Sequence, residues 1–504
     1  MDIKQRGEAI FKLVEDDSTS IFNKDWWYGR ILDWSMKNEK FKTQMFRFVD
    51  VLPYLNSSSD VARHLKEYFS EMDSESSGIL NFGLGVGALA PGLMASAIKK
   101  NVTQMAKMFI TGENPEAALP FLRKARENSI GFTADLLGEA ALSQKESLEY
   151  QSRYIELINW LSKDAVTWPN NQLIDQDDRG AIPRVNISIK LTALYSQVSE
   201  LAWEESVQTL KERVRPIFTL AKERDVFINI DMEQYKYKDL TLQVFRELVM
   251  EPEFKSYSHF GIVIQAYLRD SLQDVEELIK FARTRGTPIT IRLVKGAYWD
   301  YETILADQMN WPIPVYTNKK ESDYNFERCA ELLLKNISHT RLACGTHNVR
   351  SIAATLVMAE KLNVDPRAFE LQMLYGMADP VKKALVKSGC RVREYATIGE
   401  LIPGMAYLVR RLLENTSNES FLRSKFADNI SSELLLRDPA ENLQPSLVMP
   451  LRKNNRFYNE PLLDWTKKEN REQVVKALKK AKGNFGEKVR PIINGKETSS
   501  VQKI

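Results

Sequence analysis

The chain of 504 residues is poor in the side chains that would mark several functional classes. It has three cysteines, Cys329, Cys344 and Cys390, with no CxxC spacing, so no disulfide framework is expected. It has four histidines, so a structural zinc site lacks a ligand set, and the cysteine usage fits a reducing compartment. No HExxH, reactive-cysteine or serine-triad motif is present. Neither sign of charge dominates: 70 Lys and Arg against 67 Asp and Glu leave +3, which gives no global case for nucleic acid or an acidic membrane as partner. The opening MDIKQRGEAIFKLVEDD lacks the apolar core of a secretory signal. One stretch, 76–98, carries no charge over 23 residues. Its glycines and Pro91 leave too few large apolar side chains for a membrane-spanning helix. The glycines of GLGVGAL do not follow GxGxxG and follow no clear strand, so the segment reads as a connector.

What remains is a globular composition, with 43% hydrophobic and 27% charged residues. The length suits about three domains, or a closed barrel with appendages. Residues 1–115 read as helical, since WWYGRILDWSMKNEKFKTQMFRFVDVLPYL and 94–109 place apolar residues at helical spacing. From about residue 120, short apolar runs alternate with amphipathic stretches such as SVQTLKERVRPIFTLAKERD. Eight strands are predicted, at 132–137, 185–191, 227–232, 261–267, 289–294, 342–346, 369–374 and 391–395. Alternating βα units imply a parallel sheet, and eight of them an α/β fold of the (β/α)8 barrel class. The expected division is a helical region over 1–115, the barrel over 116–420 and a C-terminal extension over 421–504.

Alternate residues of a strand share a face. Asn186, Ser188 and Lys190 fall together, as do Asn229, Asp231 and Glu233, Thr290 and Arg292, Glu370 and Gln372, and Arg391, Arg393 and Tyr395. The polar set points into the lumen, where charges must pair or serve a ligand. At the carboxyl ends of the strands, where such barrels keep their active sites, stand Glu139, Lys190, Asp231, Gln265, Arg292, Lys295, Thr346, His347 and Tyr395. A lumen network that only satisfies itself is the alternative. In MAYLVRRLLEN, Tyr407, Arg410, Arg411 and Glu414 lie near one helical stripe, and the arginine pair suits bidentate capture of a carboxylate or phosphate. A solvated arginine pair is the plainer reading. His347, after Thr346 at a strand end, reads as a site residue, while His64, His259 and His339 read as incidental. These features describe a barrel enzyme acting on a small anion and do not name its chemistry.

The strings GFTADLLGEAAL, ISIKLTALY, NIDMEQY, IVIQAY, IRLVKGAYWD, GTHN and YLVRRLLEN, in that order, resemble the FAD-dependent proline dehydrogenase family, above all its proline utilization A type. The resemblance implies a distorted barrel holding FAD noncovalently, and oxidation of L-proline to Δ1-pyrroline-5-carboxylate with electrons passed to a quinone. It places Lys190, Asp231, Tyr395, Arg410 and Arg411 around proline, with Glu139 in support. Gln265, Arg292, Val294, Gly296, Ala297, Tyr298, Trp299, Thr346, His347 and Glu414 would contact or frame the flavin, and Leu374 would wall the substrate ring. Tyr375 and TIGELIPG depart from the family pattern, which bears on how the substrate pocket closes. The tail, RFYNEPLLDWTKKENREQVVKAL with RPIINGKE, resembles the junction into an aldehyde dehydrogenase half. The expectation is the N-terminal part of a longer bifunctional enzyme, with a monofunctional protein carrying a leftover tail as the alternative. No basic β-ribbon-helix opens the chain, so no DNA partner is expected. The expected location is cytoplasmic, with peripheral contact at the inner face of the membrane left open. Two readings stand beside this one: an aldolase using Lys190 as a Schiff base, and a non-catalytic barrel.

Overall fold

A computed structural model gives the architecture. It describes residues 2–17, 57–69, 108–138, 140–400, 431–450, 459–486 and 490–498, with isolated positions between 44 and 55 and at 457. The uncharged 76–98 stretch, most of the helical region, Glu139 and the whole MAYLVRRLLEN segment lie outside the described residues.

The chain opens with α1 (Ile3–Asp17) and α2 (Ser58–Phe69), then β1 (Ile110–Gly112) and α3 (Pro115–Glu127). The first barrel strand is β2 (Ile130–Leu136), followed by α4 (Gln144–Ala165) and a small hairpin, β3 (Gln176–Asp177) and β4 (Gly180–Ala181). Next come β5 (Val185–Ile189), α5 (Leu191–Leu194), α6 (Trp203–Glu223), β6 (Val226–Ile230) and α7 (Lys238–Met250). The middle of the barrel is β7 (Phe260–Gln265), α8 (Ser271–Arg285), β8 (Ile289–Val294), α9 (Trp299–Met309) and α10 (Lys319–Lys335). It finishes with β9 (Thr340–Gly345), α11 (Val349–Lys361), β10 (Glu370–Leu374), α12 (Asp379–Lys387) and β11 (Val392–Ile398). The extension contributes α13 (Ser432–Leu435), α14 (Lys468–Gly483) and the exposed pair β12 (Ile492–Ile493) and β13 (Lys496–Glu497).

Eight strands, β2 and β5 to β11, run parallel, and β11 returns to β2 in an unbroken register from Val392↔Ile130 to Ile398↔Leu136. Closure leaves no free edge inside the barrel. All eight predicted strands are present, but five predicted carboxyl ends, Leu137, Leu191, Met232, Tyr267 and Thr346, lie past the strands in loops or a helix. Leu191 begins α5 rather than ending a strand, because the chain turns at Lys190. Met232 and Tyr267 follow their strands. Five short strands were not expected: the pairs β3–β4 and β12–β13, and β1, read as helix, which pairs with the carboxyl end of β11 through Ile110↔Thr397.

The helices cover the barrel with apolar faces. Phe218 of α6 stacks on Phe260 of β7, with ring centroids 4.1 Å apart, and Phe254 meets both edge-on. Burial of each such side chain stabilises by about 1.5–3 kcal/mol. α1 lies against α11 and α12, and a Cβ on Gly7 would meet Leu436 Cδ2 at 2.4 Å, so this glycine permits a close approach of the extension.

The extension also ties down the loops at the carboxyl ends of the strands. Arg269 donates to the Ser446 hydroxyl at 3.1 Å, and Ile313 N–H to the Val448 carbonyl at 2.7 Å. Trp311 donates to the Leu462 carbonyl at 2.7 Å, and Lys467 to the Tyr235 hydroxyl at 2.7 Å. Among the described residues, no helix is long and apolar enough to cross a membrane.

Candidate active site

A cavity of about 380 Å³ opens at the carboxyl ends of the strands. Its position follows from strand alternation: Lys190, Asp231, Arg292, Gln372 and Tyr395 each sit one pleat or loop step beyond the lower lumen residues of the same segment. Lys190 is the turning point from β5 into α5. Its ammonium contacts Asp135 on β2, lies 3.7 Å from Asp231 and donates to the Tyr395 hydroxyl at 3.5 Å. Asp231 is the node of the network. It accepts from Arg292 Nη1 at 2.7 Å and from the Tyr395 hydroxyl at 2.6 Å. Arg292 also donates to Ser188 Oγ at 3.0 Å, and its guanidinium stands 5.3 Å from the Tyr395 ring centre.

Burial by itself would lower the Lys190 pKa, but the Asp135 and Asp231 carboxylates outweigh it and hold the ammonium charged far into the alkaline range. Tyr395 is shifted upward by burial and by the same two carboxylates, so its hydroxyl stays a donor. Glu233 lies beside this group and accepts from the Thr192 hydroxyl at 2.7 Å. Burial pushes its carboxyl up.

The remaining wall comes from β7, β8, β9 and β10 and the loops after them. Gln265, Val294, Gly296, Ala297, Tyr298, Thr346, His347 and Leu374 line it, together with Val263 and Met373. Gly296 has φ +128°, and a Cβ there would meet the Tyr267 ring at 2.4 Å, so only glycine fits this turn. His347 Nε2 accepts from Leu374 N–H at 2.9 Å, which ties the loop after β9 to the end of β10. Lys295, also on the wall, pairs with Asp323, and burial lowers its pKa. Two buried polar atoms of the lining side chains have no hydrogen-bond partner: Gln265 Oε1 and Arg292 Nε. An orphaned acceptor and an orphaned donor on neighbouring strands suit a flat group that carries both functions.

The sequence reading therefore meets at one cavity for Lys190, Asp231, Tyr395, Gln265, Arg292, Val294, Gly296, Ala297, Tyr298, Thr346, His347 and Leu374. Trp299 stands apart from the lining. It is 41% exposed and its indole N–H donates to the Tyr316 carbonyl at 2.9 Å. Glu139, Arg410, Arg411 and Glu414 lie outside the described residues. Asp135 was missed, although Thr133 and Asp135 alternate on β2 as the lumen residues of the other strands do. Met232, Gly345 and Asn348 carry no comparable signal.

A closed parallel barrel with a half-buried lysine and tyrosine, a buried arginine and two buried aspartates at its carboxyl-end mouth has the layout of a barrel enzyme's active site. Comparison with known proteins makes this specific. Residues 118–424 match the proline dehydrogenase family, and residues 1–109 match the proline utilization A N-terminal domain. The chain belongs to the proline dehydrogenase family. It is 33% identical to the bifunctional protein PutA of Escherichia coli (strain K12) over 70% of this chain and 26% of that one. It is 31% identical to the proline dehydrogenase of Deinococcus radiodurans over 64% of this chain and 90% of the relative. The crystal structure of proline utilization A from Bdellovibrio bacteriovorus, inactivated by N-propargylglycine, superposes with a TM-score of 0.91. That protein is 58% identical, and the match covers 99% of this chain and 50% of that one. The chain thus spans about a quarter of the length of the curated bifunctional relatives and half of this solved one.

Proposed function

We propose that the chain oxidises L-proline to Δ1-pyrroline-5-carboxylate with FAD as its cofactor, as the N-terminal part of a longer bifunctional enzyme. The observation that carries this is the placement of the Lys190–Asp231–Arg292–Tyr395 network against the orphaned Gln265 and Arg292 atoms in one cavity. FAD, when bound, supplies the acceptor for the two electrons and the hydrogen leaving the substrate carbon. Gln265, Arg292, Val294, Gly296, Ala297, Tyr298, Thr346 and His347 would hold it, with Trp299 and Glu414 framing it. A quinone at the membrane surface is the proposed acceptor for the electrons.

Lys190, Arg410 and Arg411 clamp the proline carboxylate, and Leu374 walls the ring. Asp135 keeps the Lys190 ammonium in place. Asp231 aligns Tyr395 and Arg292, and the family resemblance gives Glu139 a supporting role. The reaction needs the substrate amine neutral. Arg410 and Arg411, added to Lys190 and Arg292, would bring the positive charge above that of the Asp135 and Asp231 carboxylates and favour release of the amine proton. Arg292 also places a fixed positive charge where negative charge accumulates on reduction.

The same geometry argues against a Schiff-base lysine, which needs a neutral amine; Lys190 is held protonated by two carboxylates. It also argues against a purely structural lumen, which would leave no orphaned polar atoms at the mouth. The test is a visible spectrum of the purified chain. Bound flavin absorbs near about 450 nm, and anaerobic proline should bleach that band, because the chromophore belongs to the cofactor. Colourless protein, or a band that proline leaves untouched, overturns the reading.

A further inference from the structure

The lumen has a second end. Below the mouth, at the amino ends of the strands, lies a separate cavity of about 210 Å³. The alternation that sends Lys190, Arg292, Gln372 and Tyr395 upward sends Asn186, Thr290, Glu370 and Arg393 to this floor. None of its lining residues has a part in the reaction proposed above.

Its charge is uneven. Four guanidinium groups, from Arg179, Arg341, Arg391 and Arg393, line it against the carboxylates of Asp177 and Glu370. Asp178, on the same hairpin, pairs with Arg341 at 2.8 Å and still leaves positive charge in excess. Glu370 is already committed: it accepts from Arg393 Nε at 2.9 Å and from Gln372 Nε2 at 2.6 Å. Burial would raise its carboxyl, but Arg393 and Arg391 overcome this and hold it down at about 2.

Arg391 is the unusual member. It is 8% exposed, yet its one hydrogen bond runs from Nη1 to the Gln176 carbonyl at 3.3 Å. Its Nε has no hydrogen-bond partner and meets Glu370 Oε2 only as an ion pair at 3.6 Å. Burial and the neighbouring Arg393 and Arg341 lower its pKa against the pull of Glu370. Arg285 shows what a structural arginine in this fold looks like. At 2% exposure it donates to the carbonyls of Val249, Thr287, Pro288, Phe254 and Tyr257 at 2.7–3.1 Å. A buried guanidinium normally finds such partners, because each unmet donor carries a desolvation cost. The Oδ1 of Asn186, 3% exposed and on the same wall, is orphaned too.

We infer that the barrel floor is a binding site for a small oxyanion, held by Arg391 and Arg341 with Asn186 and Thr290 beside it. An oxyanion of phosphate size supplies the acceptors that Arg391 lacks and neutralises the excess charge. A protonated oxygen on it supplies the donor that Asn186 Oδ1 lacks.

The probe is inorganic phosphate, titrated calorimetrically into the purified chain carrying its cofactor, at constant ionic strength set with chloride. The expected result is one saturable site, and an unfolding midpoint that rises with the logarithm of phosphate concentration above its dissociation constant. Binding should persist in Lys190→Met, which alters the mouth, and weaken at least tenfold in Arg391→Gln. If Arg391→Gln does not fold, Asn186→Asp, which adds a negative charge to the floor, should weaken binding in the same way. The proposal is overturned if the wild-type chain shows no saturable binding. It is equally overturned if phosphate binding is lost in Lys190→Met and kept in the floor variants, which would place the anion at the mouth.

Discussion

Replacing Lys190 by methionine removes the cation on which Asp135 depends. The Asp135 side chain is 1% exposed, so the carboxylate cannot turn to solvent for compensation. Removing one partner of a buried pair destabilises by about 3–5 kcal/mol when the other stays charged. Asp135 has one escape, which is to take up a proton. Burial already pushes its pKa upward, with Lys190 as the strongest opposing influence. Without Lys190 the folded chain binds a proton that the unfolded chain releases near pH 4. Stability therefore falls as pH rises above about 4, by up to about 1.4 kcal/mol per unit, until the folded-state pKa is passed. Urea unfolding of Lys190→Met from pH 5 to pH 9 should show that slope over a wider range than the wild-type chain, in which Lys190 opposes the upward push on Asp135. Adding Asp135→Asn should flatten the slope and restore most of the loss. Activity should not return in either variant, because the substrate clamp is gone: about 3 kcal/mol, or two decades in kcat/KM. A single variant as stable as wild type at pH 8 would refute the claim that this pair is buried and mutually dependent.

Tyr395→Phe removes the 2.6 Å donor to Asp231, and kcat/KM should fall ten- to a hundredfold, about 1.5–3 kcal/mol, in steady-state proline oxidation; an unchanged value excludes the alignment role. Arg411→Met should raise the KM for proline steeply with a smaller effect on kcat, as expected for a carboxylate clamp. Gly296→Ala forces a Cβ into the buried Tyr267 ring at φ +128°, so a loss of about 2 kcal/mol and weaker flavin retention should appear in thermal unfolding and in the ratio of flavin to protein absorbance. Glu302 on α9 is buried, and its pKa is raised to about 7 although it accepts from Tyr235 N–H at 2.7 Å. Its stabilising contribution is complete below the unfolded value of about 4.5 and is lost as pH rises through about 7. Glu302→Gln should remove that part of the pH dependence of unfolding, and an identical slope in both proteins would show that Glu302 does not titrate there.

Much of the site was legible because a barrel turns strand alternation into geometry. Once VNISIKL, FINIDME and ITIRLV are read as neighbouring parallel strands, Lys190, Asp231 and Arg292 must meet at one end, and they do. Asp135 obeys the same rule, but Glu139 four residues on offers a second carboxylate for that strand end, and alternation alone does not choose between them. The division of the lumen into a mouth and a floor was not legible. It depends on which carboxylate each arginine reaches, and Glu370 answers Arg393 through a register that the sequence does not state. The lacing of the rim by residues 444–448 and 462–467 was also hidden, because its partners include backbone carbonyls such as those of Val448 and Leu462, which have no side-chain signature. β1 was misread for a simpler reason: three residues are too few to show a period of two.

The pairing of β2 with β11 sets a condition on biosynthesis. Ile130 leaves the ribosome long before Val392, its partner in the seam. Throughout that interval the growing sheet has two unpaired flanks, both rich in buried-type side chains and both able to recruit strands from other nascent chains. The last barrel strand to emerge is thus the one that makes the polypeptide safe in a crowded cell. Substitutions that slow the docking of 392–398 should reduce the yield of folded protein even where they leave the finished enzyme unaltered.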